Sequence, residues 1–165
     1  MKTKRILTIG LFAAFSSQPL PAKGRPQVDP PPHQDKVQIA LLLDTSNSMD
    51  GLIDQARTQL WKVVNTFVDA RRDGVAPFVE VALYEYGNNS LHVANNYIRL
   101  VEPLTRDLDE LSRDLFALKT NGGEEYCGAV IQRALADLAW DPSQRTYKAI
   151  VIAGNDPDAL CPSLP

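Results

Sequence analysis

The sequence predicts an α/β fold with a mostly parallel sheet, and three observations support this prediction. Two aliphatic runs, Val37 to Leu43 and Tyr147 to Ala153, are apolar on both faces, as buried parallel strands are. Segments with apolar residues three and four apart lie between these runs, in a pattern typical of helices that pack on a sheet. Polar loops follow the strands directly, where open α/β sheets carry their ligand sites.

The chain begins with a segment that differs in composition from the rest. Its first five residues include three basic ones: Lys2, Lys4 and Arg5. An apolar run from Ile6 to Phe15 follows, and residues 16–22 are small, polar or proline except for Leu20. This order is typical of a secretory signal peptide, and the run is too short for a membrane span. An uncleaved membrane anchor is the alternative.

We therefore divide the 165 residues into a signal peptide (1–22), a proline-rich linker (23–36) and one domain (37–165). Removal of the signal peptide leaves 14 basic and 20 acidic residues, a net charge of −6. An acidic domain is a poor nucleic-acid binder, and no later segment is long and apolar enough to span a membrane. We expect an exported protein, either periplasmic or secreted.

Three oxygen-bearing side chains follow the first aliphatic run. Asp44, Ser46 and Ser48 alternate in the sequence LLLDTSNSM. One carboxylate and two hydroxyls, without sulfur or imidazole, suit a hard divalent cation such as Mg²⁺, with Mn²⁺ or Ca²⁺ as alternatives. The same residues are also common at helix starts, so a capping cluster is the competing interpretation.

In this position, the spacing Asp44-x-Ser46-x-Ser48 resembles the first loop of the metal-ion-dependent adhesion site of von Willebrand factor A domains. The resemblance implies a doubly wound, Rossmann-like α/β fold with a mostly parallel sheet and one antiparallel edge strand. It also implies that the chain binds a protein partner, an acidic residue of which completes the metal coordination.

The middle of the chain alternates between helical and strand patterns. Asp50 to Arg72 is predicted to be an amphipathic helix. The β-rich stretch from Phe78 to Tyr86, a Gly-Asn-Asn turn and the stretch from Leu91 to Leu100 predict a hairpin whose second strand lies at the sheet edge. Helices are then predicted over Thr105 to Leu118 and over Tyr126 to Trp140.

Two details of this middle region are predicted from residue type. Thr105 is expected to cap its helix, because threonine is favoured at that position. Glu80 and Glu85 interrupt the apolar pattern of their strand, and we interpret them as a solvated strand face.

The loop before the third helix holds candidates for a second metal-binding segment. Gly122 and Gly123 allow a sharp turn there. In the family, the corresponding loop supplies a threonine to the metal. Aligning Gly128 with the family pattern places Glu125 at the threonine position, whereas Thr120 has the expected chemistry five residues earlier. Both remain candidates, and Glu125 could also be a helix-start carboxylate.

The third loop follows the last strand, and the resemblance implies an aspartate ligand there. Asp156 is the nearest candidate. The two cysteines, Cys127 and Cys161, would flank this edge of the sheet and could form a disulfide or stay unpaired. The resemblance covers Val37 to about Asp158, so we expect a domain that is incomplete at its C-terminus.

The function predicted on these grounds is cation-dependent binding of a protein partner, without catalysis. Two alternatives stay open. One is a metal-dependent hydrolase or phosphotransferase that uses Asp44 as its nucleophile, although such enzymes usually carry a second carboxylate where this chain has Ser46. The other is a truncated remnant without function.

Overall fold

A computed structural model describes residues 8–13, 34–72 and 74–155 of the chain. Its strands form one five-stranded sheet in the order β1-β5-β2-β3-β4. The strands are β1 (Thr8–Ala13), β2 (Lys36–Asp44), β3 (Phe78–Tyr86), β4 (Ile98–Thr105) and β5 (Thr146–Gly154). The helices of four residues or more are α1 (Ile53–Asp69), α2 (Leu108–Ala117) and α3 (Cys127–Asp137). None of the helices in these ranges is long and apolar enough to cross a membrane.

The centre of the sheet is parallel and buried on both faces, as predicted. β2 lies between β3 and β5 and runs parallel to both. Alternate β2 residues contribute to two apolar cores: Ile39, Leu41 and Leu43 pack with α1 and α2, whereas Ala40 and Leu42 pack on the side of α3. Helices therefore cover both faces of the sheet, which is the doubly wound arrangement.

The helices form where their apolar spacing predicts them, although each is shorter than expected. In α1 the buried residues Ala56, Leu60 and Val64 lie four apart, so they share the face that packs on the sheet. The predicted cap of α2 was wrong by two residues. The Asp107 side chain accepts a hydrogen bond from the backbone N–H of Glu110, and Thr105 Oγ1 accepts one from Asp107 N at the end of β4.

The edge strand β4 is antiparallel to β3, as predicted, but its position in the chain differs from the prediction. The predicted segment, Leu91 to Leu100, instead contains a short 3-10 turn at Val93–Asn95, and the strand runs from Ile98 to Thr105. Asn96 and Tyr97 between them have φ values of 54° and 53°. These left-handed conformations lie directly before the strand, and residue types alone did not reveal them.

The interpretation of Glu80 and Glu85 as a solvated face was wrong. Glu80 is 9% exposed and Glu85 is 3% exposed. Lys36 Nζ lies 3.2 Å from Glu80 Oε2, and Arg99 donates to Glu85 Oε2 over 2.6 Å. Each buried carboxylate is therefore paired with a cation from a neighbouring strand, which is the usual condition for burying a charge.

The other edge of the sheet is formed by β1, which pairs antiparallel with β5 from Thr8 opposite Gly154 to Ala13 opposite Ala149. This strand comes from the apolar run of the predicted signal peptide. Most of that peptide and of the linker lies outside the described residues, so their assignment stays a prediction.

Candidate metal centre

The C-terminal ends of three parallel strands meet at one edge of the sheet. Asp44 at the end of β2 pairs in register with Tyr86 at the end of β3, and Leu43 pairs with Ala153 of β5. The loops that follow these strands are thereby brought together, as expected for an open α/β sheet. We refer to the site built there by Asp44, Ser46, Ser48, Glu125 and Asn155 as the candidate metal centre.

The first loop places a buried carboxylate at the base of this centre. Asp44 and Ser46 are each 1% exposed. Asp44 Oδ1 accepts a hydrogen bond of 2.8 Å from the backbone N–H of Ser46, whereas Asp44 Oδ2 has no hydrogen-bond partner within the described residues. A buried carboxylate oxygen without a partner costs considerable free energy, so it calls for a cation or a proton.

The electrostatics of Asp44 agree with this geometry. The pKa of Asp44 is raised from 3.8 to about 7, mainly by burial, although the backbone N–H of Ser46 opposes the change. The charge of the neighbouring Glu125 carboxyl and its hydrogen bond with Asp44 contribute to the same rise. The protein alone therefore does not compensate the negative charge of the ionised form.

Four side-chain oxygens converge next to Asp44. Ser48 Oγ lies 2.7 Å from Ser46 Oγ, 3.0 Å from Glu125 Oε1 and 2.7 Å from Asn155 Oδ1. The serine hydroxyls carry one proton each, and the other two oxygens, from Glu125 and Asn155, are acceptors. Two protons cannot satisfy three short oxygen–oxygen contacts. A divalent cation coordinated by these oxygens would remove the deficit.

The second loop brings Glu125 to the centre, whereas Thr120 contacts Asp50. The hydroxyl of Thr120 donates to Asp50 Oδ1. Glu125 instead contacts Ser48 and lies beside Asp44. The path of the loop thus gives the two candidate residues different partners.

This path depends on a close approach between two backbones. A Cβ atom on Gly123 would lie 2.2 Å from the carbonyl oxygen of Gly87, so only glycine fits there. The loop is also held by backbone hydrogen bonds from Asn121 N to Thr45 O, 2.9 Å, and from Asn89 N to Gly122 O, 2.7 Å. The second loop is thereby tied to both the first loop and the turn after β3.

Asn88 connects the same three segments through its side chain. Its Nδ2 group donates to the carbonyl oxygen of Lys119 over 2.9 Å and to Glu85 Oε1 over 3.1 Å. Glu85 Oε1 also accepts from the hydroxyl of Thr45 over 2.9 Å. The buried Glu85 therefore helps to hold the loops of the candidate metal centre together, through its hydrogen bonds with Thr45 and Asn88.

The third loop contributes Asn155, which the sequence analysis missed. Asn155 Nδ2 donates to the backbone carbonyl of Ser48 over 2.6 Å, while Oδ1 lies against the Ser48 hydroxyl. Its position directly after Gly154, at the end of the strand, could have indicated it as a ligand. We instead expected a carboxylate in this loop, and the nearest one is Asp156. Asp156 and Cys161 lie outside the described residues, and Cys127 is buried at the start of α3.

The donor set of the centre fits a hard divalent cation. It combines two carboxylates, two hydroxyls and one amide oxygen, all of which are oxygen ligands that Mg²⁺, Mn²⁺ and Ca²⁺ accept. His92 lies in the turn before β4, where its Nδ1 accepts a hydrogen bond from the backbone of Ala94. His33 lies outside the described residues.

A second group of carboxylates lies away from this centre. Glu102 on β4 and Glu110 and Asp114 on α2 approach one another closely enough to share an ion. Burial, the hydrogen bond with Asp114 and the charge of Glu110 raise the pKa of Glu102. Arg113 pairs with Glu110 over 2.8 Å, so part of this charge is already neutralised.

Comparison with solved structures shows that this architecture is a known fold. The pilus adhesin SpaC from Lactobacillus rhamnosus GG matches with a TM-score of 0.52 and 20% identity, over 68% of this chain and 14% of that chain. The chain has the von Willebrand factor A fold. The parallel core, the antiparallel β4 and the helices on both faces of the sheet agree with it.

Two further structures with this A-domain fold are similar at lower scores. The von Willebrand domain of the type V pili tip protein Mfa5 from Porphyromonas gingivalis has a TM-score of 0.44 and 17% identity, over 71% of this chain and 36% of that chain. The mussel byssus protein PTMP1, described with a zinc-occupied MIDAS motif, has a TM-score of 0.48 and 12% identity, over 64% and 26%. This chain therefore spans only a minor part of each. No protein-family model and no curated protein matches the chain.

Proposed function

We propose that this A-type domain binds a divalent cation at the candidate metal centre and, through that cation, a protein partner. The single observation that supports this proposal best is the buried Asp44 Oδ2 without a hydrogen-bond partner in the described chain, next to a cluster of oxygens with too few protons. Asp44 would supply charge, and Ser46, Ser48, Glu125 and Asn155 would supply further oxygens directly or through water. Asp156 would belong to the same loop.

The position of the centre at the edge of the sheet supports a protein partner, because an oxygen of another molecule could complete the coordination there. The family resemblance assigns that oxygen to an acidic residue of the partner. The similarity to SpaC, a pilus adhesin, supports a role in binding outside the cell, and the predicted signal peptide supports export.

The test is calorimetric titration of Mg²⁺ or Mn²⁺ into the folded chain. We expect Asp44→Ala to abolish measurable binding, because it removes the buried carboxylate. Ser46→Ala and Ser48→Ala should weaken binding less, since water can replace a hydroxyl. Thr120→Ala is the matched control from the second loop and should bind as the wild type does, whereas Glu125→Ala should not. If wild type and Asp44→Ala respond identically, Asp44 is only a loop-capping residue and the proposal fails.

The partner and export are tested separately. A surface-binding assay with cells or matrix proteins should show retention that is lost in EDTA and in Asp44→Ala. Amino-terminal sequencing of the exported protein should begin near Lys23. Recovery of a soluble cytoplasmic form that retains Met1 would contradict the export prediction without affecting the metal site.

A further inference from the structure

The candidate metal centre holds two carboxylates from this chain at one point. Asp44 comes from the end of β2 and Glu125 from the loop before α3. A Cβ atom on Gly87 would lie 2.9 Å from Asp44 Oδ1 and 3.2 Å from Glu125 Cγ, so the two side chains border the same backbone position. With the Asp44 carboxylate 1% exposed and its Oδ2 unpaired in the described chain, this pair is suited to a divalent cation of equal and opposite charge.

This charge balance affects what a partner can contribute. A cation whose charge is already matched by two carboxylates attracts a third only weakly, and the third would also be repelled by Glu125. The surrounding loops add negative charge, since Asp50 and Glu124 are exposed.

We infer that Glu125 provides the second negative charge from within the chain, so that the cation binds without a partner carboxylate and the partner reaches it with a neutral oxygen, from a hydroxyl or an amide. This inference rests on the proposed function. It replaces the acidic partner residue that the family resemblance implies.

Manganese titration with acetate as the probe tests the inference. Acetate stands for a partner carboxylate, and its own weak binding to Mn²⁺ is subtracted by a titration without protein. In the wild type, acetate should leave the Mn²⁺ affinity unchanged. In Glu125→Gln, which keeps the oxygen and removes the charge, the affinity should fall on the order of 10- to 100-fold. Addition of acetate to this variant should then restore part of the lost Mn²⁺ affinity.

Two further variants separate charge at the centre from charge nearby. Glu124→Gln removes the same charge one residue earlier, from an exposed carboxylate that accepts from the hydroxyl of Tyr126, and should behave as the wild type. Glu125→Asp keeps the charge, so acetate should not strengthen its binding of Mn²⁺.

The outcomes distinguish the two proposals. If acetate strengthens Mn²⁺ binding to the wild type as much as to Glu125→Gln, the inference is overturned while the proposed function stands. If the folded wild type, checked by circular dichroism, does not bind Mn²⁺ at all, the proposed function fails and the inference fails with it.

Discussion

The carboxyl group of Asp44 carries a cost that only a proton or a cation can relieve. In the unfolded chain Asp44 ionises near pH 3.8, and in the folded protein, mainly because of burial, its pKa is about 7. The folded state therefore binds the proton more tightly. As far as this group is concerned, stability is therefore greatest below about pH 4, and it falls as the pH rises towards 7.

We predict that the metal-free protein loses stability between about pH 4 and pH 7, by up to about 4 kcal/mol from this group. Asp44→Asn should remove most of that dependence, because its amide does not titrate. Urea unfolding in EDTA at several pH values measures the effect. Addition of Mg²⁺ at pH 7 should recover the loss in the wild type only. Identical pH profiles for wild type and Asp44→Asn would contradict the raised pKa.

Gly87 offers a second test at the scale of one residue. Its φ is +78°, and a Cβ atom there would press on Asp44 Oδ1 and Glu125 Cγ. Gly87→Ala should therefore cost about 1 kcal/mol of backbone strain and should also weaken cation binding. Gly74→Ala is the matched control, because Gly74 has a φ of +79° and a Cβ there would have no atom within 4 Å. Calorimetry with Mn²⁺ should show a loss for Gly87→Ala alone. Equal affinities of the two variants would show that Gly87 does not shape the site.

At the scale of elements, β2 has a different chemistry at each end. Its C-terminal end carries the candidate metal centre, whereas its N-terminal end carries a buried ion network. Lys36 Nζ lies 3.2 Å from both Glu80 Oε2 and Asp141 Oδ2. Gln38 completes the network by donating to Glu80 over 2.7 Å and accepting from the backbone N–H of Asp141 over 2.8 Å. This network ties β2 to β3 and to the loop before β5.

We predict that Lys36→Met destabilises the protein by about 3 kcal/mol, because it leaves two largely buried carboxylates without their cation. Lys62→Met, on the exposed side of α1, is the control and should change stability little. Lys36 and Asp44 are eight positions apart, about 26 Å along a strand, so cation affinity should not change. Urea unfolding measures the stability of each variant, and Mn²⁺ titration measures its cation affinity. A stability equal to that of Lys62→Met would show that the network contributes nothing.

For the whole molecule, the two edges of the sheet are the most informative feature. β4 covers β3, and β1 covers β5 with six paired residues. β5 is a long strand, apolar over most of its length, so its outer edge would present unpaired backbone groups if β1 were absent. Such edges promote association between chains.

We therefore predict that the chain without residues 1–22 associates with itself or unfolds at low denaturant concentration. Light scattering after size-exclusion chromatography, together with urea unfolding of residues 1–165 and 23–165, makes the comparison. A clean monomer of residues 23–165 with a sharp, cooperative transition would show that β1 is not needed to protect β5.

The class of fold and the first loop of the candidate site could be predicted from local sequence patterns. The aliphatic run Val37 to Leu43 predicts a strand that is buried on both faces. A polar loop after such a strand lies at the sheet edge in almost any α/β arrangement. The apolar faces of the helices could also be predicted, because residues four apart share a face whatever the helix packs against. These are local patterns, and neighbouring residues alone encode them.

Which distant residues lie near Asp44 could not be predicted in this way, because it depends on how the chain folds. Thr120 and Glu125 are both plausible by chemistry, and the close approach of Gly123 to Gly87 selects Glu125. Asn155 reaches Ser48 because β5 lies beside β2 in one register. Glu80 and Glu85 are buried because Lys36 and Arg99 on neighbouring strands pair with them. Each of these facts depends on contacts between segments far apart in the chain, and no local pattern carries information about a partner that only folding brings near.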